Sequence, residues 1–183
     1  MLLYLITPTA SLLQNPLLIA PFAASAVLIF GVPNSPLAQP CAVVVGNTSA
    51  ALIGVATLRE GDDVLLATKL GRCIRFQAEA EQLRVFAGRD SSGVRGIKLK
   101  KDDFVVSLSI VDEAGTFLVA SENGIGKRSP FNEYRITSRG GKGIITMKTT
   151  DKTGQVVGAL VVHESDEVML MTTTGQSVRI PVS

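Results

Sequence analysis

The stretch 115–131, GTFLVASENGIGKRSPF, has the pattern of two short β-strands joined by a tight turn. Its first half is rich in apolar and β-branched residues, and Gly124 allows the positive φ that a tight turn requires. The same pattern recurs in residues 62–76, DDVLLATKLGRCIRF, and in residues 166–180, DEVMLMTTTGQSVRI. The sequence therefore predicts three copies of one strand-turn-strand unit.

The three copies agree position by position when their turn glycines are aligned. Bulky apolar residues stand seven and five positions before each glycine, a hydroxyl residue stands three before, and an arginine stands four after. In chain order these residues are Val64, Phe117 and Val168; Leu66, Val119 and Leu170; Thr68, Ser121 and Thr172; and Arg75, Arg128 and Arg179. The spacing of the glycines, 53 and 51 residues, is near the period of about 40–50 residues of β-propeller blades.

Two further elements repeat between the predicted hairpins. One is a glycine and basic element, SGVRGIKLK at 92–100 and RGGKGIITMK at 139–148, and the other is an apolar strand at 52–58, 104–110 and 156–162. No run shows helical apolar spacing for three turns. The predicted fold is all-β, a propeller-like repeat of about three blades. Such blades must stack, because one sheet cannot bury both of its faces alone.

The chain divides into two regions of different composition. All 18 basic and 16 acidic residues lie after Leu58. We therefore predict an apolar, proline-rich segment at 1–48 and the repeat domain at 49–183. The apolar run 17–32 is nearly long enough to span a bilayer, but it contains Pro21 and Gly31, and no positive charge precedes it. A membrane or signal segment, a buried extension, and a start not native to the following domain all remain open.

Basic residues collect around the two glycine elements. Glycines there let backbone N–H groups approach a phosphate while the cations supply charge, so a surface for a polyanion is one interpretation. The other is a plain turn with solvated charges. A nucleotide phosphate loop is disfavoured, because Gly-x-x-x-x-Gly-Lys-Ser/Thr is absent and no helix is predicted to follow. Pairs of adjacent acidic residues lie away from these elements, just before predicted strands, and this position favours a role in turns.

Several quoted stretches carry a family resemblance. GVRGIKL, ENGIGKRSPFNEYRITSRGGKGIITMK, and GQVVGALVV followed by DEVMLMTTTGQSVR resemble the C-terminal domain of the DNA gyrase A subunit, from about Ala51 to Ser183. The resemblance implies a β-pinwheel of four-stranded antiparallel blades, of which this chain would hold an incomplete disc of about three blades with exposed edge strands. It also implies that duplex DNA wraps around the basic edge of that disc. The alternative within this fold is the C-terminal domain of the topoisomerase IV A subunit.

The same resemblance implies which residues contact DNA. Ser138–Gly143 is similar to the core of the family's glycine and basic box, but Thr137 and Ser138 stand where the box has Gln and its first basic residue. This departure is typical of a degenerate copy of the box. We expect contacts to the DNA backbone, with little reading of bases, from Arg89, Gly93, Arg95, Gly96, Lys98, Arg135, Arg139, Gly140, Gly141, Lys142, Gly143 and Lys148.

No residue is assigned a catalytic or metal-binding role. Tyr134 is expected to pack within a blade, and His163, the single histidine, to lie on the surface at a strand end. Cys41 and Cys73 are far apart and are not spaced as metal ligands. Two cysteines with no disulfide framework fit a reducing cytoplasm. Tyr4 lies in the apolar segment, so the family's cleavage tyrosine has no counterpart and this chain alone is not expected to cut DNA.

The resemblance also implies the setting in which the chain works. The expected partners are duplex DNA, the rest of the A subunit of gyrase, and the B subunit of gyrase, in the cytoplasm at the nucleoid. No cofactor is expected in this chain, because ATP and Mg²⁺ are used elsewhere in that holoenzyme, and no membrane partner is expected. A different class of function, a protein-binding β-propeller module tethered to a membrane through residues 17–32, remains an alternative.

Overall fold

The computed structural model describes residues 52–79 and 93–183 and, as strand paths, residues 2–6, 26–30, 41–46 and 85–86. These ranges contain strands and one short 3-10 helix, η1 (Phe131–Glu133). The strands are β1 (Leu2–Ile6), β2 (Ala26–Phe30), β3 (Cys41–Gly46), β4 (Leu52–Leu58), β5 (Asp63–Thr68), β6 (Arg72–Gln77), β7 (Val85–Phe86), β8 (Val94–Arg95), β9 (Val105–Ile110), β10 (Thr116–Ser121), β11 (Gly126–Ser129), β12 (Ile144–Ile145), β13 (Val156–Val162), β14 (Glu167–Met171) and β15 (Ser177–Pro181). The predicted all-β fold is confirmed.

Each predicted hairpin forms part of its own antiparallel sheet. Blade 1 is the sheet β12-β6-β5-β9, blade 2 is β11-β10-β13, and blade 3 is β1-β14-β15. A further sheet has the order β4-β3-β2-β7, with β8 also paired to β2. Blade 1 has the predicted four antiparallel strands, and two of them, β9 and β12, come from later in the chain. Blades are therefore completed by exchange of strands along the sequence.

The three aligned glycines form the hairpin turns. Gly71, Gly124 and Gly175 have φ of 74°, 79° and 86°, a conformation that side-chain-bearing residues rarely adopt. Their turns are closed by the hydroxyl residue three positions earlier: Thr68 Oγ1 accepts from the Arg72 amide at 3.2 Å, and Thr172 Oγ1 accepts from the Gln176 amide at 3.1 Å. The repeated hydroxyl is thus part of the turn.

Strand β5 is buried on both faces. Val64 and Leu66 pack in one apolar cluster, whereas Leu65 and Ala67 pack in a second cluster that includes residues of blade 2. Alternate residues of a strand point to opposite faces, so the two clusters lie on the two sides of blade 1. The expectation that neighbouring blades must cover each other is confirmed for this sheet.

The acidic pairs serve mainly in turns, as the sequence predicted. Asp62 Oδ2 accepts from the Arg59 amide at 2.6 Å, and Asp166 Oδ2 accepts from the His163 amide at 2.8 Å. Asp103 is buried and accepts from the Leu70 amide and from Thr68 Oγ1, both at 2.9 Å. These carboxylates satisfy backbone donors that the turns leave free.

His163 lies at the end of β13, as predicted, and links the turns before β10 and β14. Its Nε2 is 3.0 Å from Asp112 Oδ2 and its Nδ1 is 3.3 Å from Asp166 Oδ2. The Asp112 carboxylate, helped by Asp166, raises the pKa of the His163 imidazole above its usual value. When it is protonated, the imidazole pairs with both carboxylates and so joins blade 2 to blade 3.

We predict that this contact stabilises the fold at low pH. The folded-state pKa of His163 lies above the unfolded value of about 6.5, so the contribution is complete below that value and is lost as pH rises through the folded pKa. His163→Gln should therefore lower the urea midpoint of unfolding more at about pH 5.5 than at about pH 8.5. An equal loss at both pH values would contradict the prediction.

The apolar N-terminal region contributes strands at two places. β1 pairs with β14 in blade 3, and β3 pairs with β4 and β2. The described residues contain no helix with the length and apolar content that a membrane crossing requires. β15 lies at the edge of its sheet and is exposed along its length, as expected for an edge strand. The domain boundary between residues 48 and 49 stays a prediction.

Candidate nucleic-acid interface

The second glycine element lies across blade 1. Thr137 donates to the Arg75 carbonyl from its amide, at 2.9 Å, and from its Oγ1, at 3.2 Å. After the loop, Ile144 pairs with Cys73, so that β12 becomes the edge strand of blade 1. The loop 138–143 is therefore fixed at both ends to β6, about seventy residues earlier in the sequence.

Close approach of the backbone explains the last glycine of this loop. Gly143 has φ of 65°, and a Cβ at this position would collide with the Cys73 carbonyl. Gly140 also has positive φ, 77°, whereas a Cβ on Gly141 would make only ordinary contacts. Arg72 Nη1 then donates to the Lys142 carbonyl at 3.0 Å. Arg72, which the sequence analysis did not identify, thus holds the loop through this hydrogen bond.

The two glycine elements touch each other. The Gly140 amide donates to the Gly96 carbonyl at 2.6 Å, and the Lys98 amide donates to the Gly141 carbonyl at 2.8 Å. Arg139 Nη1 also lies 3.4 Å from the Arg95 carbonyl. Elements that are separated by about fifty residues in the sequence are therefore parts of one surface, which we call the basic surface.

Most cations of the basic surface are accessible. Arg95, Lys98 and Lys142 are exposed, Arg139 is half-buried, and Gly93 and Gly96 shape the first element. Arg135 and Lys148, which flank the second element, are exposed as well. Arg89 lies outside the described residues. Contact of these residues with DNA stays a prediction.

An open cavity of about 300 Å³ lies between the second glycine element and β6. Its lining includes the exposed residues Arg135, Ser138 and Lys142 and the buried residues Cys73 and Tyr134. Tyr134 is buried and its hydroxyl is 2.7 Å from Thr146 Oγ1, so the predicted packing role is confirmed. Burial raises the pKa of both Tyr134 and the Cys73 thiol, which keeps both groups neutral at pH 7.

In the first repeat the recurring arginine is buried and is not one of the exposed cations of the basic surface. Arg75 is only 8% exposed and contacts acidic residues at the junction of blades 1 and 2. The sequence showed that this arginine recurs, but its pattern did not indicate whether the side chain points outward or between blades. Among the described residues, no group of three or more side chains is arranged to hold a metal ion.

The strand order and the basic surface define a class of protein: a propeller-like β-repeat with a cationic edge. Comparison with known proteins gives the family. The family model described as "DNA gyrase C-terminal domain, beta-propeller" matches residues 62–112 and 116–163, one blade repeat each. The chain belongs to this family.

Curated relatives agree with this assignment. The A subunit of DNA gyrase from Granulibacter bethesdensis is 37% identical over an alignment of 190 positions, and the match covers 71% of this chain and 20% of that protein. The A subunit of DNA gyrase from Salmonella typhimurium is 42% identical over 137 residues, which cover 75% of this chain and 15% of that protein. The chain thus spans a fifth or less of the length of these relatives.

Solved structures share the fold. The C-terminal domain of DNA topoisomerase IV has a TM-score of 0.66 and 22% identity, over 72% of this chain and 40% of that one. The DNA gyrase A C-terminal domain has a TM-score of 0.65 and 22% identity, over 87% of this chain and 56% of that one. At this identity the likeness concerns the fold alone.

A second family model, described as "HPP, transmembrane region", matches residues 1–74. Its range overlaps the first gyrase match between residues 62 and 74, where the structure has the β5–β6 hairpin of blade 1. In the overlap the chain therefore follows the gyrase repeat. Before residue 62, the match is a similarity of the apolar region to a membrane segment.

Proposed function

We propose that this chain binds duplex DNA without sequence preference and wraps it along the basic surface, as part of a type II DNA topoisomerase. One observation carries the proposal: two glycine and basic elements from different repeats meet through the Gly140–Gly96 hydrogen bond. This contact brings the cations of both elements onto one track, the basic surface, whereas isolated turns would give scattered charges. A track of cations along a repeat surface suits a long polyanion.

The chemistry favours contacts with the DNA backbone. The described residues contain no α-helix to enter a major groove, and the loops present arginine, lysine and glycine. Contacts with phosphate fix the position of a duplex but do not read its sequence. Wrapping would follow from contacts that accumulate along the track, so binding should depend strongly on salt.

The relatives favour gyrase over topoisomerase IV as the holoenzyme. Both curated relatives, at 37% and 42% identity, are A subunits of DNA gyrase. We infer that this chain works with the rest of the A subunit of gyrase, and with the B subunit of gyrase, in the cytoplasm at the nucleoid. A reconstituted holoenzyme should introduce negative supercoils; preferential decatenation would favour topoisomerase IV instead.

The predicted contacts can be tested by removing two cations. Arg139→Ala with Lys142→Ala should weaken binding about tenfold on two unrelated duplexes alike, because each lost phosphate contact reduces the log–log salt slope by about 0.9. The matched control, Lys152→Ala with Arg179→Ala, removes the same charge from the turn before β13 and from β15. A loss that differs strongly between the two duplexes would contradict phosphate contact, and an equal loss in the control would contradict the location.

A second candidate function is a protein-binding module held at a membrane. It is favoured by the similarity of residues 1–74 to an HPP transmembrane region. This candidate predicts that the full chain is recovered only with detergent and has no affinity for duplex DNA. Binding of DNA by detergent-free protein would rule it out.

A further inference from the structure

The repeated arginine forms one contact set at the junction between blades. Arg75 Nε donates to Asp63 Oδ2 at 2.7 Å, within its own blade. Its Nη2 and Nη1 reach blade 2, where they donate to Glu113 Oε1 at 2.5 Å and to the Phe131 carbonyl at 3.0 Å. We call these contacts the arginine clamp. A planar guanidinium can serve three acceptors in fixed directions, which an ammonium group cannot do in the same way.

The next repeat contains the two contacts between blades, but Thr116 stands where the first clamp has Asp63. Arg128 Nη1 lies 2.9 Å from Glu164 Oε1 and donates to the Val182 carbonyl at 2.9 Å. Glu164 stands eleven positions before Gly175, as Glu113 stands before Gly124. Val182 and Phe131 each stand seven positions after a hairpin glycine. The two clamps therefore join equivalent positions in successive blades.

The first clamp has an additional link to the basic surface. The Arg75 side chain holds the Phe131 carbonyl, and the Arg75 carbonyl accepts from Thr137. One residue thus fixes both ends of the segment 131–137, which leads directly into the loop 138–143. The second clamp holds Val182, which only Ser183 follows in this sequence.

We propose that Arg75 is the positioning residue of the DNA-binding loop 138–143. The side chain sets where the segment 131–137 leaves blade 2, and this determines where Arg139 and Lys142 lie along the track. The inference rests on the proposed function; Arg75 itself is only 8% exposed and would act through the loop rather than by touching DNA. Arg128 makes the corresponding contacts to the following blade without a basic loop, so it is the control for weakening a contact between blades.

The first test compares Arg75→Lys with Arg128→Lys in the full chain. Both substitutions keep the charge, and both weaken a clamp between blades. Arg75→Lys should weaken binding of duplex DNA about tenfold, which corresponds to about 1.4 kcal/mol, whereas Arg128→Lys should change it less than about twofold. The proposal would be overturned if folded Arg75→Lys protein bound DNA as tightly as the unaltered chain. It would also be overturned if Arg128→Lys lost as much affinity as Arg75→Lys.

Two substitutions of the acidic partners test the same proposal with less risk that the protein fails to fold. Glu113→Gln and Glu164→Gln alter side chains that are 69% and 68% exposed, and both raise the net charge by one. General attraction to DNA therefore rises equally in the two variants. Glu113→Gln should still bind DNA about twofold more weakly than Glu164→Gln, because only Glu113 belongs to the clamp that holds the loop. Equal affinities would contradict the proposal.

Amide hydrogen exchange separates this proposal from the proposed function. Without DNA, Arg75→Lys should speed exchange at the Thr137 and Gly140 amides, which donate to Arg75 and Gly96. Arg128→Lys should leave both amides protected. If the unaltered chain binds no DNA, the proposed function fails, and these two amides still decide whether Arg75 positions the loop. Unchanged exchange in Arg75→Lys would overturn the positioning role.

Discussion

Phe117→Ala should lower the free energy of unfolding by about 3–5 kcal/mol. Phe117 is fully buried between blades 1 and 2, and its ring lies 5.4 Å from the Tyr134 ring and 6.3 Å from the Phe131 ring, measured between centroids. Truncation would remove both aromatic contacts and leave a cavity that the surrounding strands cannot close. Urea unfolding monitored by far-ultraviolet circular dichroism measures the loss.

Phe104→Ala is the matched control for this prediction. Phe104 is 40% exposed, just before β9, and its ring accepts a cation–π contact from Lys69 Nζ at 4.9 Å. Its truncation should cost only about 1 kcal/mol, because water already reaches much of the ring. Equal losses in the two variants would mean that the packing of blade 1 against blade 2 is not the main source of stability.

Gly143→Ala should lower the free energy of unfolding by at least about 2 kcal/mol and should detach β12 from β6. Part of the cost, about 1–2 kcal/mol, comes from the left-handed conformation that Gly143 adopts. The rest comes from the collision of the new Cβ with the Cys73 carbonyl, which can be relieved only if the loop moves away. Faster amide exchange in β12 and a lower urea midpoint would show this displacement.

Gly141→Ala makes the same chemical change two residues earlier. The added Cβ would lie 3.5 Å from Ile74 Cδ1 and 3.6 Å from the Ser138 carbonyl, which are ordinary contacts. The free energy of unfolding should therefore change by less than about 0.5 kcal/mol. If Gly141→Ala destabilised the chain as much as Gly143→Ala, close approach of the backbone would not be the reason for the last glycine.

The two predictions concern the same junction from opposite sides. Phe117 and Tyr134 fill the space between blades 1 and 2, and Gly143 lets the following strand close over it. The loop 138–143 of the basic surface is attached to blade 1 through Thr137 and Ile144, so its geometry depends on how the blades pack. Stability and DNA binding should therefore be linked most closely in the segment 131–145.

The repeat itself could be read from the sequence. Gly71, Gly124 and Gly175 appear at hairpin turns with positive φ, because this requirement is set by the turn alone. The alternating apolar residues before each glycine likewise form the first strand of each hairpin, because a period of two follows from strand geometry. These requirements involve only neighbouring residues, so they can be recognised in the sequence.

The candidate site was predicted in composition but not in arrangement. The sequence showed two glycine and basic elements with matching positions, such as Arg95 and Lys142. It did not show that the elements touch, because the hydrogen bond from Gly140 to Gly96 joins residues on separate repeats. The role of Arg72 beneath the loop was missed, because its contact depends on a strand that arrives about seventy residues later.

The sequence by itself determined the all-β repeat, its turns and the recurrence of one arginine, since each depends on residues that are near neighbours in the chain. Only the tertiary structure decided which strands complete each blade, and that Arg75 points between blades while Arg139 and Lys142 line the basic surface. The physical reason is that strand exchange and packing between blades join residues some fifty to seventy positions apart. A local pattern records the type of side chain, whereas its direction depends on which blade is packed beside it.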